Sequence, residues 1–239
     1  MNVLGIDCSR WQDDNSTAQQ MNFEKAYDAG ARFTFIKASQ GLWVDEDFLY
    51  NWKAAQGIMH RGAYHYLDAS ASGKAQADFF LGIIHQDMGE LPAVIDYEYR
   101  SKPKSVMLPI FYDFVATIMA DGFFPMIYTS PYYWQDWGDT DAFWRKFLLW
   151  IANYEVSAPS VPKPWTDWTF WQKTSRGDGH LFGAESAYID LNDYNGDWEE
   201  FKVNFGEVSE DDPPLDDYWD GYNDVLDELQ DVVEGIRIC

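Results

Sequence analysis

Leu91-Pro92-Ala93-Val94-Ile95-Asp96-Tyr97-Glu98 is the stretch on which the reading of the fold turns. A short apolar run follows Pro92 and stops on two carboxylates. A run this short and this apolar reads as a strand covered on both faces, as in a parallel sheet. Residues two apart in a strand share a face, so Asp96 and Glu98 point the same way. A strand with a hidden body and acids at its C-terminal end suits a barrel whose site lies at the C-terminal rim.

Working outward from this strand, similar runs recur over 3–7, 32–38, 62–67, 125–129, 148–153, 168–172 and 187–191, which with 93–98 makes eight. Helical stretches over 23–29, 47–56, 73–86 and 103–121, with a shorter one near 141–147, fill most of the early gaps. The last strands follow one another through loops. The pattern predicts an α/β fold, a parallel TIM-like irregular barrel with eight strands and about five helices. A chain of 239 residues can bury the core of such a barrel in one domain.

Two further acids belong to this reading. Asp7 closes the first run, Val-Leu-Gly-Ile-Asp, and Asp190 closes Ala-Tyr-Ile-Asp, so Asp7, Asp96, Glu98 and Asp190 would converge on one rim. Each Asp alone fits a turn former or loop cap. Together they fit glycoside hydrolysis, which needs one protonated acid for the leaving oxygen. A second carboxylate then stabilises positive charge or activates an attacker.

Composition narrows the field. Seventeen Lys and Arg against 40 Asp and Glu give a net charge of -23. Phosphate backbones and anionic membranes both select basic surface, so neither nucleic acid nor a lipid surface is an expected partner. Aromatic residues make up 18% of the chain, enough to fill a core and leave rings for stacking on sugar faces. The two cysteines, Cys8 and Cys239, offer neither a disulfide framework nor a metal-ligand spacing. Cys8 reads as a small buried apolar residue. No apolar stretch has the roughly 18 residues of a membrane span, and no secretory signal is visible at the start. The expectation is a chain made in the cytoplasm whose action on an outside substrate waits on holin-type or lysis-dependent release.

The segments GIDCSRWQ, FIKASQG, GAYHYL, PAVIDYE, MIYTS, LLWIANY, FWQ and YIDLNDYNG occur, in that order, between residues 3 and about 200. Their order and content resemble the glycoside hydrolase family 25 lysozymes, many of them phage endolysins. The resemblance implies an N-acetylmuramidase that hydrolyses the β-1,4 bond from N-acetylmuramic acid to N-acetylglucosamine in bacterial peptidoglycan. It implies Glu98 as proton donor and Asp96 as the group that stabilises the reacting sugar or orients its N-acetyl group. Asp7 and Asp190 would complete the acidic cluster, and Tyr64, Tyr128, Trp150 and Trp171 are implied as glycan contacts. Crowded negative charges raise a carboxyl pKa, a physical reason for Glu98 to stay protonated. The second step stays open among a carboxylate nucleophile, the substrate's acetamido group and direct attack by water. No cofactor is implied and no metal is expected, although four acids have the oxygen chemistry for a hard cation.

Neighbouring positions carry their own expectations. Lys37 should find an acidic partner near the rim. Gln40 stands where the family frequently has Glu, as FIKASQG departs from Lys-Ala-Thr-Glu-Gly, so no acid acts there. His65, on the opposite parity from Tyr64, reads as a structural histidine. Two other readings are open at this point. One is a non-catalytic glycan-binding module on the same barrel, disfavoured by the intact acids. The other is a different barrel glycosidase such as a chitinase, whose longer Asp-x-x-Asp-x-Asp-x-Glu run finds Leu91 and Val94 in place of its first two Asp.

The domain reading places a catalytic barrel at 1–205, an acidic linker at 206–217 and an acidic amphipathic helix at 218–239. Beyond residue 206, twelve acids face only Arg237. Tyr222, Leu229 and Ile236 recur every seven residues, interleaved with Trp219, Leu226 and Val233. That stripe is under three heptads, too short to be stable alone in water. It should therefore bury itself on the barrel, on a second copy or on a separate partner.

Overall fold

The computed structural model describes residues 2–14 and 16–206. Nine strands form one sheet: β1 (Val3–Cys8), β2 (Phe33–Gln40), β3 (Trp43–Val44), β4 (His60–Tyr66), β5 (Val94–Asp96), β6 (Met126–Thr129), β7 (Leu149–Ala152), β8 (Phe170–Asp178) and β9 (Tyr188–Tyr194). Eight of them close into a barrel in the order β1-β2-β4-β5-β6-β7-β8-β9, with β1 hydrogen-bonded to both β2 and β9. The short β3 folds back antiparallel on the end of β2. All eight runs read in the sequence are barrel strands.

The direction of the last strand differs from the parallel expectation. β9 runs antiparallel to β8 and to β1. The cause lies in the connection: only residues 179–187 join β8 to β9. A parallel return needs a crossover of about a dozen residues or more.

Among the described residues six α-helices surround or cap the barrel: α1 (Phe23–Asp28), α2 (Phe48–Ala55), α3 (Gly73–Ile84), α4 (Lys104–Ala120), α5 (Pro131–Trp137) and α6 (Trp198–Phe205). The stretch read as a helix near 141–147 is a 3-10 turn, Ala142–Lys146. In exchange, α5 and α6 are helices that the periodicity did not announce. Both carry start signals. Ser130 Oγ accepts from the Tyr133 amide with Pro131 in the first turn, and Asp197 forms a capping box with Glu200.

The core has two layers. Inside the barrel, Phe35 stacks on Trp150 at 4.3 Å, and Phe33 meets the edge of Phe170 at 5.0 Å. Two inward positions stay bare to admit these rings. A Cβ at Gly5 would come within 2.3 Å of Phe33, and one at Gly62 within 2.6 Å of Phe35. α6 then plugs the N-terminal mouth, with Phe201 stacked on Phe33 at 5.6 Å. The barrel is therefore filled, and one mouth is closed by a helix. Outside, the helices bury the other strand faces; Phe80 and Phe114 of α3 and α4 pack around His65.

Among the described residues no helix is long and apolar enough to cross a membrane. Residues 207–239, which hold most of the expected linker, the expected amphipathic helix and Cys239, lie outside the described residues.

Candidate active site

A pocket of about 280 Å³ opens at the C-terminal mouth, over the Phe35–Trp150 stack. Asp7, Asp96, Glu98 and Asp190 all line it, joined by Lys37. A larger cavity, about 790 Å³, lies at the opposite mouth, and its only acids are Glu90 and Asp167. The smaller pocket holds the four expected acids.

Each acid arrives by a different route. Asp7 is an inward residue of β1, and Asp96 is the last residue of β5. Glu98 follows two residues later on the same side, as strand parity requires. Asp190 reaches the rim because its strand is reversed: it lies near the start of β9, opposite Asp7 in the register. The sequence reading placed it on the rim as the end of a parallel strand; the position holds and the reason differs.

Asp7 is held most tightly. Its Oδ2 accepts from Gln172 Nε2 and from Asn192 Nδ2, each at 2.8 Å. Gln172 turns its other end to two phenols, accepting from Tyr128 and Tyr154 at 2.7 Å each. Asn192 in turn accepts from the Trp150 indole at 2.8 Å. One buried carboxylate is thus tied through two amides to three rings of the pocket, and none of these side chains can turn independently. Asp96 differs: it is 6% exposed and its Oδ1 is buried without a hydrogen-bond partner among the described residues.

Electrostatics follow from this crowding. Burial pushes the Asp7 carboxyl up to about 6, against the pull of its two amide donors. Burial, with Asp7 and Glu98 adding negative charge, pushes Asp190 up to about 8. Asp96 is raised by burial and then by Glu98, with Lys37 opposing. Glu98 is raised by burial and by Asp7, against Arg100 and Lys37. Four acids in one dry mouth cannot all ionise, so the cluster retains protons near neutrality.

Lys37 is the cation within the cluster. Burial lowers its pKa while Asp96, its strongest electrostatic partner, raises it. Its direct hydrogen bond goes to Gln40 Oε1 at 3.0 Å. A bulge between Lys37 and Ser39 permits this, because it returns Gln40 to the side of Lys37 across an odd spacing. Lys37 also lies over Trp43 and Tyr66, at 5.2 and 5.0 Å from their ring centres.

Three of the four expected aromatic contacts line the pocket: Tyr64, Tyr128 and Trp150. Trp171 does not. On β8 the inward residues are Phe170 and Gln172, so Trp171 faces the helix layer and donates its indole N–H to the Asn153 carbonyl. Gln172 is the residue that this strand delivers to the site; Tyr154 and the exposed Trp11 of the pocket, and Asn192 on Asp7, were also missed. His65 faces the outer layer between Ser39 Oγ and Gln76 Oε1, at 2.8 and 3.2 Å, and burial lowers its pKa to about 4. Cys8, beside Asp7, is fully buried. Among the described residues no group of His, Cys, Asp and Glu has the arrangement to hold a metal ion.

The chain matches the family model described as glycosyl hydrolases family 25 over residues 6–180. It is 34% identical over 210 residues to lysozyme M1 of Streptomyces globisporus, covering 81% of this chain and 68% of that one. It is 35% identical over 198 residues to an N,O-diacetylmuramidase of Arthroderma benhamiae, covering 77% and 80%. Its structure is similar to that of the bacterial lysozyme from Streptomyces coelicolor, with a TM-score of 0.73 and 29% identity over 87% of this chain and 99% of that chain. These likenesses settle the family: the chain belongs to glycosyl hydrolase family 25.

Proposed function

We propose that the pocket cleaves the β-1,4 bond between N-acetylmuramic acid and N-acetylglucosamine in peptidoglycan, with Glu98 as general acid. The observation that carries this reading is the placement of Glu98. It stands on the same side as Asp96, in a cluster whose burial and mutual charge favour a retained proton. Asp96 is the most deeply buried of that pair and lies next to Lys37.

In this reading Glu98 gives its proton to the glycosidic oxygen as the bond to the anomeric carbon breaks. The leaving sugar departs as an alcohol, and positive charge grows on the ring that remains. Asp96, which lines the same pocket, faces that charge. Lys37 opposes the rise that burial and Glu98 impose on the Asp96 pKa, and so favours its charged form as the positive charge develops. Water adds its hydroxyl to the anomeric carbon, and the proton it loses restores the acid that Glu98 gave up. Asp7, clamped by Gln172 and Asn192, positions the ring wall of the pocket and biases the proton toward Glu98 by its negative charge.

The test is digestion of purified cell walls, with loss of turbidity followed by chemical reduction and identification of the new end. Muramic acid at the reducing end is expected. N-acetylglucosamine at that end would overturn the proposal, and binding without turbidity loss would favour a glycan-binding module instead.

A further inference from the structure

The larger cavity, at the N-terminal mouth, is an apolar groove that neither the barrel nor the catalytic pocket uses. Its walls are built from Phe124, Phe147, Leu148 and Trp168, together with Val203 and Phe205 of α6. Val203 is 86% exposed on a helix otherwise seated on the barrel. The described chain ends at Gly206, one residue beyond Phe205, so residues 207–239 leave from the lip of this groove.

We infer that the groove is the docking site of the chain's own C-terminal segment, which seats there the apolar stripe formed by Trp219, Tyr222, Leu226, Leu229, Val233 and Ile236. The stripe needs an apolar surface, as it is too short to stand alone. Residues 207–217 span up to about 36 Å when extended, which reaches any part of a groove that begins at their own anchor. A tether this short holds its end at an effective concentration of about millimolar, with no cost of bringing two molecules together.

Charge favours this occupant over a second copy. The tail carries twelve acids against Arg237, on a chain whose net charge is -23. Pairing two chains would double that repulsion. At the groove, Arg145 brings positive charge to the lip, Glu90 is already paired with Arg61 at 2.8 Å, and Asp167, the groove's other acid, accepts from the Trp168 amide and from Asn195.

The experiment uses the full chain in four forms: unchanged, with Leu226→Asp and Leu229→Asp together, with Val203→Asp, and with all three substitutions. Hydrogen exchange is followed at 143–149, 163–169 and 201–206, with melting temperature and sedimentation alongside. The tail pair should speed exchange in those groove segments and lower the melting temperature by a few degrees. Val203→Asp, on an exposed rim position, should do the same, and the triple variant should lose little more, because both ends break one contact. Groove exchange unaffected by the tail pair, or fully additive losses, would overturn the docking. A wild-type dimer dissolved by the tail pair would overturn it in favour of a second copy.

Discussion

Asp7 and Asp190 sit opposite each other across the antiparallel pair β1–β9, register partners that bring two carboxylates to one mouth. Directly opposed like charges in a sheet destabilise it unless a proton or cation separates them. Here burial and the mutual charge raise Asp190 to about 8 and burial raises Asp7 to about 6, so the fold holds protons that the unfolded chain releases near its ordinary value of 3.8. An acid raised in the fold contributes stability at low pH that is lost as pH rises through the folded value. Melting temperature should therefore fall between about pH 4 and pH 8. Asp190→Asn should flatten that slope. An unchanged slope in the variant would show that the pair does not share charge as the geometry implies.

Glu98→Gln keeps the shape and hydrogen-bonding reach of the side chain but cannot donate the proton. Turnover of wall substrate should fall by about 10²–10⁴-fold, the usual contribution of a positioned general acid. The melting temperature should hold or rise, because the change removes a buried acid from a negative cluster. Asp96→Asn should also cost most of the activity, with its fold intact. Near wild-type lysis by a folded Glu98→Gln would remove the proposed mechanism.

Gln172 is the joint between Asp7 and the phenols of Tyr128 and Tyr154, and it is 4% exposed. Gln172→Ala leaves the buried Asp7 carboxylate and Tyr128 phenol without this partner, a loss of about 1–3 kcal/mol for each unsatisfied group, whereas the exposed Tyr154 can turn to water. A drop of several degrees in melting temperature is expected, at about 2–4 °C per kcal/mol for a chain of this size. Turnover should fall with it, since Asp7 loses a donor that lowers its pKa. Gln172→Glu should be worse than Gln172→Ala in activity, because it places a fifth acid in the mouth. Equal melting curves for wild type and Gln172→Ala would show that the joint carries no load.

The residues explain what could be read in advance. Asp96 and Glu98 were legible because a spacing of two fixes a shared face whatever the register. Asp190 was legible in position but not in direction: the length of the 179–187 connection, not the strand itself, sets the reversal. Trp171 and Gln172 show the converse. Both faces of β8 are buried at that point, so hydrophobicity does not distinguish inside from outside, and only pairing with Ala152 and Asn192 settles that Gln172 points in. The return of Gln40 to Lys37 depends on a bulge at Ala38, for which the sequence carries no pattern. The helices α5 and α6 are about two turns each, too brief for periodicity to stand out, although their caps were present in Ser130-Pro131 and in Asp197 with Glu200.

Charge also governs the encounter with substrate. The chain carries -23, and the catalytic mouth is lined by four acids against Lys37 alone. An anionic wall is repelled by such a surface, and the repulsion acts over the Debye length, about 30 Å at 0.01 M salt and 8–10 Å near 0.1–0.15 M. Wall lysis should therefore rise from very low salt to moderate ionic strength, through KM rather than through kcat. Short soluble fragments of the glycan should show a much smaller rise, because each carries only the few charges of its own muramic acid residues. The contrast between the two substrates is the measurement. A rate on walls that falls steadily from the lowest salt would mean that local positive groups such as Arg10 and Arg100, near the mouth, dominate the encounter instead.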